Sequence, residues 1–149
     1  MQTVNDIMTK EVITVKRETT VRELAEIFKA RHFGSLPVVS DDGALVGIVT
    51  ASDLVEQGRS LHIPTVISLF DWVIPIESEK SLERDLHRIT AQTVGEICTT
   101  EVLTIAPSDP VSTAADIMSA HKLHALPVVE ATKLVGIVAR IDIIRTLAR

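Results

Sequence analysis

The chain has 149 residues, 46% hydrophobic and 23% charged, the composition of one globular domain or of two very small ones sharing a core. Aromatic residues make up only 3%, so the core must be built from Val, Ile, Leu and Ala, and a base-stacking platform for single-stranded nucleic acid is all but excluded. A net charge of −5 argues against a basic nucleic-acid footprint, yet leaves room for a local cationic pocket around one small anion.

Taken in order, the chain is two copies of one pattern. Val4 to Ser40 aligns without gaps on Val94 to Glu130, and, after a one-residue deletion, Leu45 to Gln57 aligns on Leu134 to Thr146. Of these 50 columns, 20 are identical, where average composition gives roughly one in fifteen. This divides the chain into a first repeat at 1–57, a connector at 58–93 and a second repeat at 94–149.

Each repeat opens on a short apolar strand, Val12-Ile13-Thr14-Val15 or Val102-Leu103-Thr104-Ile105. A helix follows. In the first repeat Thr20 and Glu23 form a capping box, and Val21, Leu24, Ala25 and Phe28 fall on one face. In the second, Asp109 is the expected N-cap with Pro110 at the first helical position, ahead of the stripe Val111, Ala114, Ala115 and Met118. Gly34 is the expected left-handed residue after the first helix. Leu36-Pro37-Val38-Val39, the turn Asp41-Asp42-Gly43 and Leu45-Val46-Gly47-Ile48-Val49 then read as a β-hairpin. A short helix opens at Ser52-Asp53. Each repeat is thus strand, helix, strand, strand, helix, an α/β (α+β) unit too small to cover its own sheet. The two are expected to pack face to face over one shared core.

The connector has an interrupted apolar part, Leu61 to Ile76, which holds Phe70 and Trp72 and is too broken to span a membrane. After it, Leu82, Leu86 and Ile89 predict an amphipathic helix. The connector reads as a flank packed on the module, or as a dimer contact or lid. Cys98 alone permits no internal disulfide and no Cys-rich zinc site, and the N-terminus carries no secretory signal, so a cytoplasmic protein is expected.

The residues that could carry chemistry cluster where the hairpin meets the second helix. In Gly47-Ile48-Val49-Thr50-Ala51-Ser52-Asp53 a strand ends, two hydroxyls follow, and a helix N-terminus begins, which suits an anion. A carboxylate such as Asp53 can also accept hydrogen bonds from a vicinal diol. The same residues would equally serve as a simple helix cap. The second copy, Gly136-Ile137-Val138-Ala139-Arg140-Ile141-Asp142, keeps the Asp but loses both hydroxyls; Arg140 either supplies a phosphate charge or solvates a surface. His121 and His124 lack a third ligand at metal-like spacing, so no metal is expected. Cys98 stands where the first copy has Met8, an apolar position that predicts packing rather than nucleophilic chemistry. No nucleophile elbow, P-loop or dinucleotide fingerprint occurs.

The twice-repeated order of Leu-Pro-Val-Val and Gly-Ile-Val-x-x-x-Asp resembles the cystathionine-β-synthase (CBS) domain pair, the Bateman module of stand-alone CBS domain-containing proteins. The resemblance covers both repeats and implies a pseudo-two-fold module with no catalytic residues and no required cofactor. It implies that Asp53 holds ribose hydroxyls and that Thr50 and Ser52 approach phosphates. Each site is composite: Val102 and Leu103 would line the adenine slot for Asp53, and Val12 and Ile13 that for Asp142. Ser35 and His124, within the two residues before each Leu-Pro pair, would reach phosphates, with His124 the preferred contact. Arg31, His32, His121 and Lys122 read as complements to helix dipoles. The expected function is a regulatory sensor of AMP, ADP or ATP. Its rivals are a sensor of S-adenosylmethionine or another adenosyl ligand, and a structural oligomerisation module with a vestigial cleft. The resemblance further implies a homodimer formed through helices and output through a separate effector protein, without nucleic acid or membrane.

Overall fold

The computed structural model describes residues 2–31, 34–58 and 92–148; Phe70, Trp72 and the expected helix over Leu82, Leu86 and Ile89 lie outside the described residues. The first repeat comprises α1 (Val4–Ile7), α2 (Val21–Arg31), β1 (Ser35–Val39), β2 (Leu45–Thr50) and α3 (Ala51–Gly58). The second comprises α4 (Val94–Ile97), α5 (Val111–His121), β3 (Ala125–Glu130), β4 (Lys133–Ala139) and α6 (Arg140–Leu147). Both hairpins are antiparallel and share one register: Leu36 faces Val49 and Val38 faces Gly47, as Leu126 faces Val138 and Val128 faces Gly136. A bulge after Val38 recurs after Val128. The architecture is the expected α+β tandem.

The expected opening strand of each repeat shrinks to a single parallel bridge, Val15 to Val38 and Ile105 to Val128. The cause is Pro37 and its counterpart Pro127. Val15 donates to the Pro37 carbonyl at 3.1 Å and accepts from Val39 N–H at 2.9 Å. The next rung would need an N–H that proline lacks, so the ladder stops there.

Helix ends also depart from the sequence reading. The Thr20–Glu23 box forms, with Glu23 N–H on Thr20 Oγ1 at 3.1 Å. In the second repeat the N-cap is Pro110, not Asp109. The Asp109 carboxylate instead accepts the Ala106 N–H at 3.0 Å and closes the preceding turn. Gly34 is not left-handed; that conformation falls to Lys122 (φ 54°) at the end of α5, where Leu123 N–H closes on the Met118 carbonyl at 2.9 Å. Between the strands Gly43 has φ 86°, while the shorter second turn places Ala131 and Thr132 at φ 50° and 68°. Those last two carry the usual cost of a left-handed residue with a Cβ.

The single shared core anticipated from the sequence is, among the described residues, two cores. One gathers Ile105, Ala114, Met118, Leu126, Val128 and Val138 around Val4. The other gathers Val15, Leu24, Leu36, Val38 and Val49 around Val94. Each is completed by the first turn of the opposite repeat. Main-chain bonds hold the exchange: Thr9 and Ile137 bond reciprocally at 2.9 Å, and so do Thr99 and Ile48. The hairpin tips meet as well, Leu45 N–H on the Thr132 carbonyl and Leu134 N–H on that of Gly43, both at 3.1 Å. Burying Val4 and Val94 completely contributes about 1.5–3 kcal/mol each. No helix among the described residues is long and apolar enough to cross a membrane.

Candidate functional site

At the end of β2 the chain passes directly into α3, and the turn is held by a reciprocal cap. Asp53 Oδ2 accepts the Thr50 N–H at 2.8 Å, and Thr50 Oγ1 accepts the Asp53 N–H at 3.1 Å. Ala51 N–H donates to the Gly34 carbonyl at 3.0 Å, and Ser35 pairs with Thr50 across the hairpin. These links bring Gly34, Ser35, Thr50, Ser52 and Asp53 to one end of the first repeat, with Ser52 exposed. Asp53 therefore caps its own helix, and Oδ1 is left without a hydrogen bond among the described residues.

The second repeat repeats the backbone but not the side chains. Asp142 is buried, and its Oδ2 accepts the Ala139 N–H at 2.8 Å. Its Oδ1 lies 3.8 Å from Arg145 Nη1, so both oxygens are engaged. Arg140 N–H donates to the His124 carbonyl at 3.1 Å, which places exposed His124 beside this helix start. The Arg140 side chain donates from Nε to the Leu123 carbonyl at 2.9 Å. It lines, with Lys122, Met118 and Ile144, a groove of about 370 Å³ between α5 and α6.

Two smaller cavities of about 220 Å³ each flank the hairpin tips, related by the internal repeat. Beside β2, Leu45 and Val46 of the first repeat face Thr100, Val102 and Thr104 of the second. Beside β4, Leu134 and Val135 face Lys10, Val12 and Thr14. The walls are thus aliphatic and come from both repeats. Val102 and Val12 line them; Leu103 is 43% exposed and Ile13 packs on the first core, so neither does. Neither lining includes Thr50, Ser52, Asp53 or Asp142, which stand at the far ends of β2 and β4. The sequence reading passed over Lys10, Thr14, Thr100 and Thr104. Alternation is the signal that finds all four, because every second residue of an extended segment shares a face. Among the described residues no group of three or more His, Cys, Asp or Glu is placed to hold a metal ion.

Comparison with known proteins agrees with this duplicated architecture. A family model for the CBS domain matches residues 4–59 and 94–149. The CBS domain-containing protein YhcV of Bacillus subtilis is 29% identical over 96% of this chain and 84% of its own length. The L-aspartate semialdehyde sulfurtransferase of Methanosarcina acetivorans is 31% identical over 98% of this chain, but the match takes in only 24% of that protein. Among solved structures, CBSX2 in complex with AMP superposes with a TM-score of 0.76 at 26% identity, covering 99% of this chain and 97% of that one; CBSX2 is from Arabidopsis thaliana. The CBS domain pair of protein MJ0100, in complex with 5′-methylthioadenosine and S-adenosyl-L-methionine, gives 0.74 at 27% identity, covering 99% and 97%. With both repeats matched, each carrying the same hairpin and the same capped helix start, the chain belongs to the CBS domain family as a tandem pair of CBS domains.

Proposed function

We propose that this CBS pair is a non-enzymatic regulatory module that binds adenosyl ligands, AMP, ADP or ATP foremost, in its two composite slots. The observation that carries the reading is that each aliphatic slot is walled by both repeats, so one ligand touches both. A ligand that contacts two bodies at once biases their relative orientation, which is the physical requirement for a sensor. Val, Leu and Thr walls suit a purine without aromatic stacking, in keeping with the aromatic-poor composition. The complexes of CBSX2 with AMP and of the MJ0100 pair with adenosyl compounds support the ligand class. The second of these also keeps S-adenosylmethionine as the alternative ligand.

Calorimetry with AMP, ADP, ATP and S-adenosylmethionine on protein freed of ligand tests this. At least one compound is expected to bind, and the Val12→Trp, Val102→Trp double variant, which fills both slots, is expected to lose it. If the wild-type protein binds none of the four, the sensor reading fails and a purely structural module takes its place. We further propose that the module acts as a homodimer through its exposed helix faces, signalling to a separate effector protein.

A further inference from the structure

The two slots are built alike and differ in charge. Corresponding positions carry Leu45 and Leu134, Val46 and Val135, and Thr104 and Thr14. Two positions break the match, Thr132 against Gly43 and Thr100 against Lys10, and only the second changes charge: Thr100 lines the slot beside β2, and Lys10 lines the slot beside β4. Lys10 is exposed, and among the described residues no hydrogen bond or ion pair engages its ammonium. The reciprocal bonds between Thr9 and Ile137 hold it alongside β4, between the hairpin tip and the strand end that leads to Asp142. Arg140, the cation next in line at that strand end, is turned to the Leu123 carbonyl and the outer groove.

We propose, on the basis of the adenosyl reading above, that the slots divide ligands by charge. The Lys10 slot takes the phosphorylated nucleoside, and the Thr100 slot takes an adenosyl compound of lower negative charge. An ammonium offers three donors and no acceptor, and its hydrogen bonds to phosphate are about twice as strong as neutral ones. A threonine hydroxyl offers one neutral donor. The assignment runs against the local sequence, in which the hydroxyls of Thr50 and Ser52 mark the first repeat as the phosphate site and Ala139 and Ile141 leave the second bare. The charge missing from the second strand end arrives across the module, from the other repeat.

Calorimetry with AMP and with adenosine on the ligand-free full chain tests this, using wild type, Lys10→Thr, Lys10→Arg and Thr100→Lys. Lys10→Thr is expected to weaken AMP about tenfold and to leave adenosine unchanged. Lys10→Arg retains AMP affinity, and Thr100→Lys gains a second AMP site. Unchanged AMP binding in Lys10→Thr overturns the division by charge. So does an equal loss of AMP and adenosine, which would make Lys10 a packing residue. If wild type binds neither AMP nor adenosine, this inference is overturned; the adenosyl reading falls with it only where ADP, ATP and S-adenosylmethionine also fail to bind.

Discussion

At Gly47 and Gly136 one absent methyl group lets the repeats cross. A Cβ on Gly136 would lie 2.7 Å from Met8 Sδ and 2.9 Å from the Thr9 carbonyl oxygen. One on Gly47 would lie 2.9 Å from the Thr99 oxygen and 3.0 Å from Cys98 Sγ. At each site one of the obstructing atoms is a backbone carbonyl oxygen, which cannot swing aside as a side chain can. Gly47→Ala and Gly136→Ala are each expected to cost about 1–3 kcal/mol in urea unfolding. Gly34→Ala, with open space at its Cβ, is expected to stay within about 0.5 kcal/mol. Equal stabilities for all three variants would sink the steric account. The Leu-Val-Gly-Ile-Val motif was plain in the sequence, but its reason was not, because the residues that require the glycine belong to the opposite repeat. Asp53 shows a related limit. Its sequence position is compatible with capping and with ribose binding, and the hydrogen bonds show that capping occupies Oδ2 alone.

Among the elements, the hairpins and long helices were legible because their periodicity and turn residues act locally. The four-residue helices α1 and α4 were not, being too short for any period to emerge. Their caps were nonetheless written in the chain. Thr3 N–H donates to Asp6 Oδ2 at 2.9 Å, and the Thr93 hydroxyl donates to Glu96 Oε1 at 3.2 Å, the Thr-x-x-acid signature in both repeats. No local rule says that these turns dock on the other repeat. That docking predicts crossed effects. Val4→Ala, at a cost of about 1–3 kcal/mol, is expected to speed amide hydrogen exchange in the β3–β4 hairpin more than in β1–β2. Val94→Ala is expected to do the reverse. If each variant loosens the hairpin of its own repeat instead, the exchange of first turns between the repeats is refuted.

For the whole molecule, the outer helices leave apolar surface uncovered. Val55 on α3 is 71% exposed, and on α6 Ile144 and Leu147 are 55% and 80% exposed. Scattered apolar residues are normal on a surface, but Ile144 also lines the groove between α5 and α6. Sedimentation at high concentration is expected to give a dimer for the wild type and a monomer for Ile144→Asp, Leu147→Asp. A monomeric wild type would refute the proposed homodimer. The crossed first turns bear on the origin of the chain. Suppose a single ancestral repeat kept the same contacts. Its first turn would have to come from a second polypeptide, as in a strand-swapped pair whose folding depends on concentration. Duplication in tandem makes that encounter intramolecular, at an effective concentration fixed by the linker rather than by expression level. Once fused, the halves no longer had to remain identical, and Lys10 facing one slot while Thr100 faces the other is the kind of divergence that two separate, identical chains could not hold.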